Sequence, residues 1–284
     1  MTEKNKKLLL LGGSGMVGSA IAQVFKKAGY ELLAPSHQQF DLDNLDAIVP
    51  RVCELAPGLI INCAALLGHE TCEQQPEAAL RLNALAPQQL AIAAEQLAIG
   101  MLQISTSAVF DGRKKSLYNE SDRPTPVNMY GGSKYLGESF VSANCSRAYI
   151  LRLPMVFGPS STGSSFVDRM AKKLLAGEEL SGTIDEFNTP LFSLDVAEAI
   201  FELFGNFPYG TYHLAGGESV SLYALLSLMA ELLPGSKRVQ PVESRHFKRA
   251  CQMPLNGGLQ SQNLPDICRP WQKSLPLWLR KKSV

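Results

Sequence analysis

Apolar residues fall in short blocks through the first half of the chain, separated by longer segments of mixed character. Lys7–Leu11 is a continuous apolar run, the pattern of a strand buried on both faces. A helix is predicted to follow from about Met16. Glu31–Ala34, Gly58–Ala65, Met101–Ser105 and Ala148–Leu153 read as further strands. Asp43–Leu55 and Lys134–Ala143 look helical, and Glu77–Leu97 is a long amphipathic helix rich in Ala, Leu and Gln. Such alternation predicts an α/β fold: a doubly wound parallel sheet with helices on both faces and right-handed crossovers. Proline and glycine cluster at Thr125–Gly132, Pro154–Gly163 and Pro254–Gly258, which suggests loops around a site rather than a linker.

The chain has 284 residues, enough for one large or two modest domains with a real core. A formal net charge of +1 favours neither nucleic acid nor a membrane surface as partner. No stretch is apolar and long enough to span a bilayer. The N-terminal residues lack the cleavage region of a signal peptide, so the expected location is the cytoplasm. The cysteines (53, 63, 72, 145, 251 and 268) show no CxxC pair and read as free thiols, mostly buried. Histidines 37, 69, 213 and 246 are scattered, no metal site is expected, and His213 reads as structural.

Two motifs carry the chemistry. Gly12, Gly15 and Gly18, with Ser14, Met16 and Val17 between them, form a GxxGxxG turn joining a strand to a helix. Glycines there allow a tight turn and a close approach to a pyrophosphate, which the helix N-terminus attracts. Far downstream, Tyr130-Gly-Gly-Ser-Lys134 is a YxxxK. Residues four apart share a helix face, so a lysine ammonium is expected to lower a phenol that ordinarily titrates near about 10. Tyr130 then exchanges a proton with a carbonyl or alcohol oxygen, and the Thr106 hydroxyl donates a second hydrogen bond to it. Small residues end the other strands: Asn62, Cys63, Ala64 and Ala65; Ser105, Thr106 and Ser107; Pro154 and Met155. They leave room for a flat cofactor beyond the carboxyl ends of the strands. After the second strand come Pro35-Ser36-His37-Gln38, with no acidic residue for the ribose hydroxyls of NAD. Ser36 and His37 could bind a 2′-phosphate, so NADP(H) is favoured over NAD(H).

These residues also carry a resemblance. IINCAA, CEQQPEAALRLNALAPQQLA, ISTSAVFDG, YGGSKYLGE and ILRLPMVFG resemble blocks of the extended short-chain dehydrogenase/reductases, in the dTDP-4-dehydrorhamnose reductase-like (RmlD-like) branch. DEFNTPLFSLD (Asp185–Asp195) and GTYHLAGGESVSL (Gly210–Leu222) extend it over nearly the whole chain. The resemblance implies a Rossmann domain (1–158 and 185–215) and a smaller α/β substrate domain (159–184 and 216–284), with 185–215 returning to the main sheet. It implies Thr106, Tyr130 and Lys134 as the catalytic set. Gly12, Ser14, Gly15, Met16, Val17, Gly18, Asp41, Leu42, Cys63, Ala64, Ala65, Ser105, Tyr130, Lys134 and Pro154 would line the cofactor. Thr106, Ser107, Asn188 and Arg249 would meet a nucleotide-sugar, Arg249 through its phosphates. The pair of helices Glu77–Leu97 and Lys134–Ala143 implies a homodimer.

Departures lie on the substrate side. Ser107-Ala108, Leu66-Leu67 and Pro154-Met155 stand where the branch usually carries acidic, aromatic or tryptophan-containing sequence. Ser107-Ala108 also argues against a dehydratase, which needs an Asp-Glu pair there. The implied activity is NADP(H)-dependent reduction of a 4-keto nucleotide-sugar. The alternatives are a non-catalytic NADP-binding regulatory subunit and a nucleotide-sugar epimerase.

Overall fold

The computed structural model describes residues 6–159, 165–235 and 238–280. Positions 1–5, 160–163 of the Pro154–Gly163 loop, and the implied substrate-domain ends at 160–164 and 281–284 lie outside these residues. In chain order the strands are β1 (Lys7–Leu11), β2 (Glu31–Leu33), β3 (Leu59–Asn62), β4 (Gly100–Thr106), β5 (Ala148–Leu153), β6 (Val156–Phe157), β7 (Leu180–Thr183), β8 (Phe187–Asn188), β9 (Leu191–Phe192), β10 (Gly210–His213), β11 (Val220–Ser221) and β12 (Val239–Val242). The α-helices are α1 (Met16–Lys27), α2 (Leu45–Leu55), α3 (His69–Gln74), α4 (Pro76–Leu80), α5 (Ala86–Gln96), α6 (Met129–Asn144), α7 (Phe166–Leu175), α8 (Ser193–Asn206), α9 (Leu222–Leu232) and α10 (Trp271–Arg280).

Six parallel strands form the central sheet in the order β2-β1-β3-β4-β5-β10. The leucine run of β1 is continuous because alternate side chains enter different cores. Leu8 and Leu10 join the core under α1 and α8, whereas Leu9 and Leu11 join the core under α2, α5 and α6. Strand order reverses between β1 and β3, so the loops after these strands open a crevice at the switch point.

The expected elements are present, with shifts that have local causes. β3 stops at Asn62 because its side-chain oxygen accepts from the Ala64 amide at 3.1 Å, turning the chain. The long helix at 77–97 is broken into α4, a π-helical turn over Arg81–Leu85, and α5. Pro87 has no N–H to return to the Asn83 carbonyl, and Gly137 of α6 packs where a Cβ would stand 2.1 Å from that oxygen. α6 starts five residues before the expected Lys134, because the Asn128 side chain caps it through the Gly131 amide at 2.9 Å.

Of 185–215, only β10 joins the main sheet, beside β5, while α8 lies across α1. β8 pairs with β11 and β9 with β6, because they hold the site loops rather than extend the sheet. A third core gathers Phe157 of β6 with Val167, Leu174, Leu225, Met229, Trp271 and Leu275 from α7, α9 and α10 around the β7–β12 pair. All six cysteines are free: three are buried, Cys63 and Cys251 are half-buried and Cys53 is exposed. No helix among the described residues is long and apolar enough to cross a membrane.

Candidate active site

The glycine turn closes the carboxyl end of β1. Gly12 has φ +73°, and a Cβ on it would stand 2.7 Å from the Ala64 amide nitrogen. A Cβ on Gly18 would stand 2.2 Å from the Gly12 carbonyl oxygen. Both glycines are therefore required by close packing of the turn, the first turn of α1 and the loop after β3. Ser14 and Gly15 face outward, and a Cβ on Gly15 would have Gly12 oxygen at 3.3 Å as its one close neighbour. This leaves an open cradle in front of the α1 N-terminus, with Met16, Val17, Ala64 and Ala65 half-buried along it. Its exposed amides and small residues fit a dinucleotide pyrophosphate.

The adenine side is looser. Ala34 comes within 3.2 Å of where a Gly13 Cβ would sit, so the end of β2 borders the turn. Ser36 and His37 are exposed, with His37 Nδ1 3.7 Å from the exposed Asp41 carboxylate. Leu42 packs into the core beside Ile48 and Val52, so its side chain serves the fold and only its backbone is left for a ligand.

The carboxyl end of β4 runs along one face of α6. Three consecutive strand residues each engage a helix residue one turn apart. Lys134 Nζ donates to the Ile104 carbonyl at 2.6 Å. The Ser105 hydroxyl donates to the Glu138 carboxylate. The Thr106 hydroxyl hydrogen-bonds Tyr130, while its oxygen also accepts from the Ala108 amide at 3.1 Å. Residues 130, 134 and 138 share that face because they are four apart. Ser105 was expected to line the cofactor, but its hydroxyl is taken by Glu138.

Burial governs the proton chemistry. It pushes the Tyr130 phenol up to about 12, with Cys72 adding to the rise and the Thr106 hydrogen bond opposing it. The expected lowering by the ammonium is not found, since Lys134 spends its short hydrogen bond on Ile104 and desolvation dominates. Burial pushes Lys134 down to about 8, opposed chiefly by Glu138 and to a lesser degree by Cys63 and Cys72. The His69 ring packs edge-on against Tyr130, with centroids 5.0 Å apart at 79°. Burial lowers the His69 pKa, which keeps its imidazole neutral beside the phenol.

On the other side, Ser107 and Asn188 converge. A Cβ on Gly257 would stand 2.8 Å from Asn188 Nδ2 and 3.3 Å from Ser107 Oγ. Asn188 is held by accepting from the Met155 amide at 2.8 Å. The Pro254–Gly258 loop is tied down by Asn256 Nδ2, which donates to the Lys114 and Ser116 carbonyls at 2.8 and 3.0 Å. Pro154 is buried at the end of β5. Arg249, expected to meet the phosphates of a nucleotide-sugar, bonds Glu186 through two of its nitrogens at 2.5 and 2.8 Å. The pair borders a cavity of about 470 Å³ walled by Phe166, Met170, Leu226 and Phe247.

Reasoning from motifs missed His69, Glu138 and Arg152. Glu138 was accessible in principle, because it lies four residues beyond Lys134. His69 and Arg152 reach the site only through tertiary packing.

A parallel dinucleotide-binding sheet with Thr106, Tyr130 and Lys134 at its carboxyl edge defines a nicotinamide-dependent oxidoreductase of the extended short-chain dehydrogenase/reductase class. The family model described as the RmlD substrate binding domain matches residues 6–283, and the chain belongs to that family. A dTDP-4-dehydrorhamnose reductase from Clostridium acetobutylicum, of solved structure, is 30% identical with a TM-score of 0.93, over 98% of this chain and 100% of that one. The Bacillus anthracis dTDP-4-dehydrorhamnose reductase solved with NADP is 25% identical with a TM-score of 0.90, over 98% and 99%. Methionine adenosyltransferase 2 subunit beta from Danio rerio is 30% identical over 276 residues, 91% of this chain and 84% of that protein.

Proposed function

We propose that this chain is an NADPH-dependent reductase of a 4-keto nucleotide-sugar, of the dTDP-4-dehydrorhamnose reductase type. The observation that carries this is the triple contact of Ile104, Ser105 and Thr106 with Lys134, Glu138 and Tyr130, which sets a protonated phenol beside a hydroxyl donor. Gly12–Gly18, Cys63–Ala65 and Pro154 would hold a nicotinamide dinucleotide, which would supply the hydride. As the carbonyl oxygen gains negative charge, the Thr106 hydroxyl donates to it and Tyr130 gives up its proton. A phenol near about 12 is protonated throughout the neutral range, yet a developing alkoxide is the stronger base. Lys134, which at rest donates to the Ile104 carbonyl, would have to turn its ammonium toward the phenolate that remains in order to steady it.

Two further parts of the reading rest on placement. The absence of an acidic residue from Ala34 to Phe40, with Ser36 and His37 exposed, supports NADP over NAD. The third core supports a substrate domain built from 159–184 and 216–284 beside a Rossmann domain of 1–158 and 185–215. The sugar would then lie by Ser107 and Asn188, with the nucleotide end toward Arg249.

A homodimer through 77–97 and 134–143 stays part of the proposal. Among the described residues, no large exposed hydrophobic lies on α4, α5 or α6, so any such contact would use half-buried side chains such as Tyr135, Leu136 and Phe140. Light scattering that gives a monomer mass at micromolar concentration rejects it.

The test is NADPH absorbance with purified protein and a panel of 4-keto nucleotide-sugars. Stoichiometric NADPH consumption with one of them supports the reading. Interconversion without net consumption marks an epimerase. NADP binding without turnover of any panel member favours the regulatory-subunit alternative, which the likeness to a protein named as a subunit, methionine adenosyltransferase 2 subunit beta, keeps in view.

A further inference from the structure

The buried charges behind Lys134 are not used by the proton transfer itself. Glu138 lies one turn beyond Lys134 and is buried, as are Ser105, Arg152 and His213. Arg152 of β5 grips both Glu138 oxygens, with Nη2 at 2.6 Å and Nε at 3.0 and 3.1 Å. Its other terminal nitrogen lies 3.3 Å from His213 Nε2 of β10, and its guanidinium stacks over Phe110 at 5.3 Å. Three parallel strands and a helix are thus joined through one carboxylate, directly behind the catalytic face.

Burying such a pair is costly, and an apolar pair of similar volume often serves stability as well or better. The position of the pair points to another use. Ser105, which binds Glu138, lies between Ile104, which receives the Lys134 ammonium, and Thr106, which meets Tyr130. We propose that Glu138, anchored by Arg152, is a positioning residue that keeps Lys134 charged and fixes the end of β4 so that Thr106 and Tyr130 stay in register. This rests on the reductase reading of the site.

The groups around Lys134 leave this task to Glu138. Tyr130 precedes it by one turn of α6; Cys63 and Cys72 approach from the loop after β3 and from α3; Ile104 and Ser105 come from β4. Arg152 and His213 connect to it through Glu138. Desolvation raises both thiols, Cys63 to about 12, so they are neutral at working pH, and among the described residues acting on Lys134 Glu138 contributes most to holding its charge.

The experiment is the pH dependence of kcat and KM for the wild type, Glu138→Gln, the Glu138→Leu/Arg152→Met pair and Ser105→Ala. For Glu138→Gln and the apolar pair, the alkaline limb of kcat should move down by about one pH unit or more, because the lysine loses its counter-charge. KM for NADPH should change little. For Ser105→Ala, which removes only a hydroxyl, kcat should fall several-fold with the limb unmoved. A limb that stays in place in either carboxylate-free form overturns the proposal. If neither of those folds, wild-type kcat in Ser105→Ala overturns it, and the several-fold loss supports it. A wild type that turns over no nucleotide-sugar overturns the reductase reading and this proposal with it, whereas an active wild type with an unmoved limb overturns this proposal alone.

Discussion

The face between α6 and β4 and the pocket around Arg249 both hold a buried carboxylate gripped by an arginine, yet the two pairs differ in setting. Arg152 and Glu138 are almost wholly enclosed, with side chains 7% and 4% exposed. Arg249 is 26% exposed and stands at the rim of a cavity, over the ring of Phe247. The enclosed pair has no access to a ligand and can act only through the residues it holds. The rim pair can exchange partners, because Arg249 has further donors and an open side. On the proposed reading, proton transfer needs fixed geometry and its supports are sealed in, whereas recognition needs a surface that meets a ligand and its charge is left within reach.

Variants on the two sides should therefore fail differently. Tyr130→Phe should have the largest effect, a fall in turnover of about 10²–10⁴-fold with NADPH affinity retained; undiminished turnover would remove Tyr130 from proton transfer. Arg152→Ala should cost about 3–5 kcal/mol in denaturant unfolding, because it leaves Glu138 buried without its partner. A loss below about 1 kcal/mol would show that water or rearrangement satisfies Glu138, and the contrast between the pairs would disappear. Arg249→Ala should weaken nucleotide-sugar binding by about 1.5–3 kcal/mol in calorimetry and leave NADPH binding unchanged. Unaltered sugar-nucleotide binding would make Arg249 a structural partner of Glu186 and nothing more.

The pH dependence of stability probes the enclosed side alone. Burial lowers the folded-state pKa of Lys134 from lysine's ordinary 10.5 to about 8, so between these values the unfolded chain binds more protons. The lysine's contribution to stability should therefore rise as pH increases from about 8 to 10.5 and be flat below that window. Chemical denaturation of the wild type and Lys134→Met across this range isolates it. A difference between the two that falls with pH would contradict the burial of the ammonium.

The local part of this molecule was legible along the chain. The leucines of β1, the glycine turn and the strand pattern of Ala148–Leu153 depend on period and backbone freedom, which neighbouring residues set by themselves. The spacing of Tyr130 and Lys134 likewise placed both on one helix face, and the Ser/Thr cluster marked the end of β4. Tertiary packing decided what those groups could do. Burial reversed the expected direction of the Tyr130 shift, Glu138 claimed the Ser105 hydroxyl, and Glu186 claimed Arg249. His69 lies 61 residues before Tyr130 in the chain yet packs against its ring. Pattern along a chain reports which face a residue shares with its near neighbours. Desolvation and pairing depend on distant segments, and these were set when β4, α6 and the Arg249 segment came together.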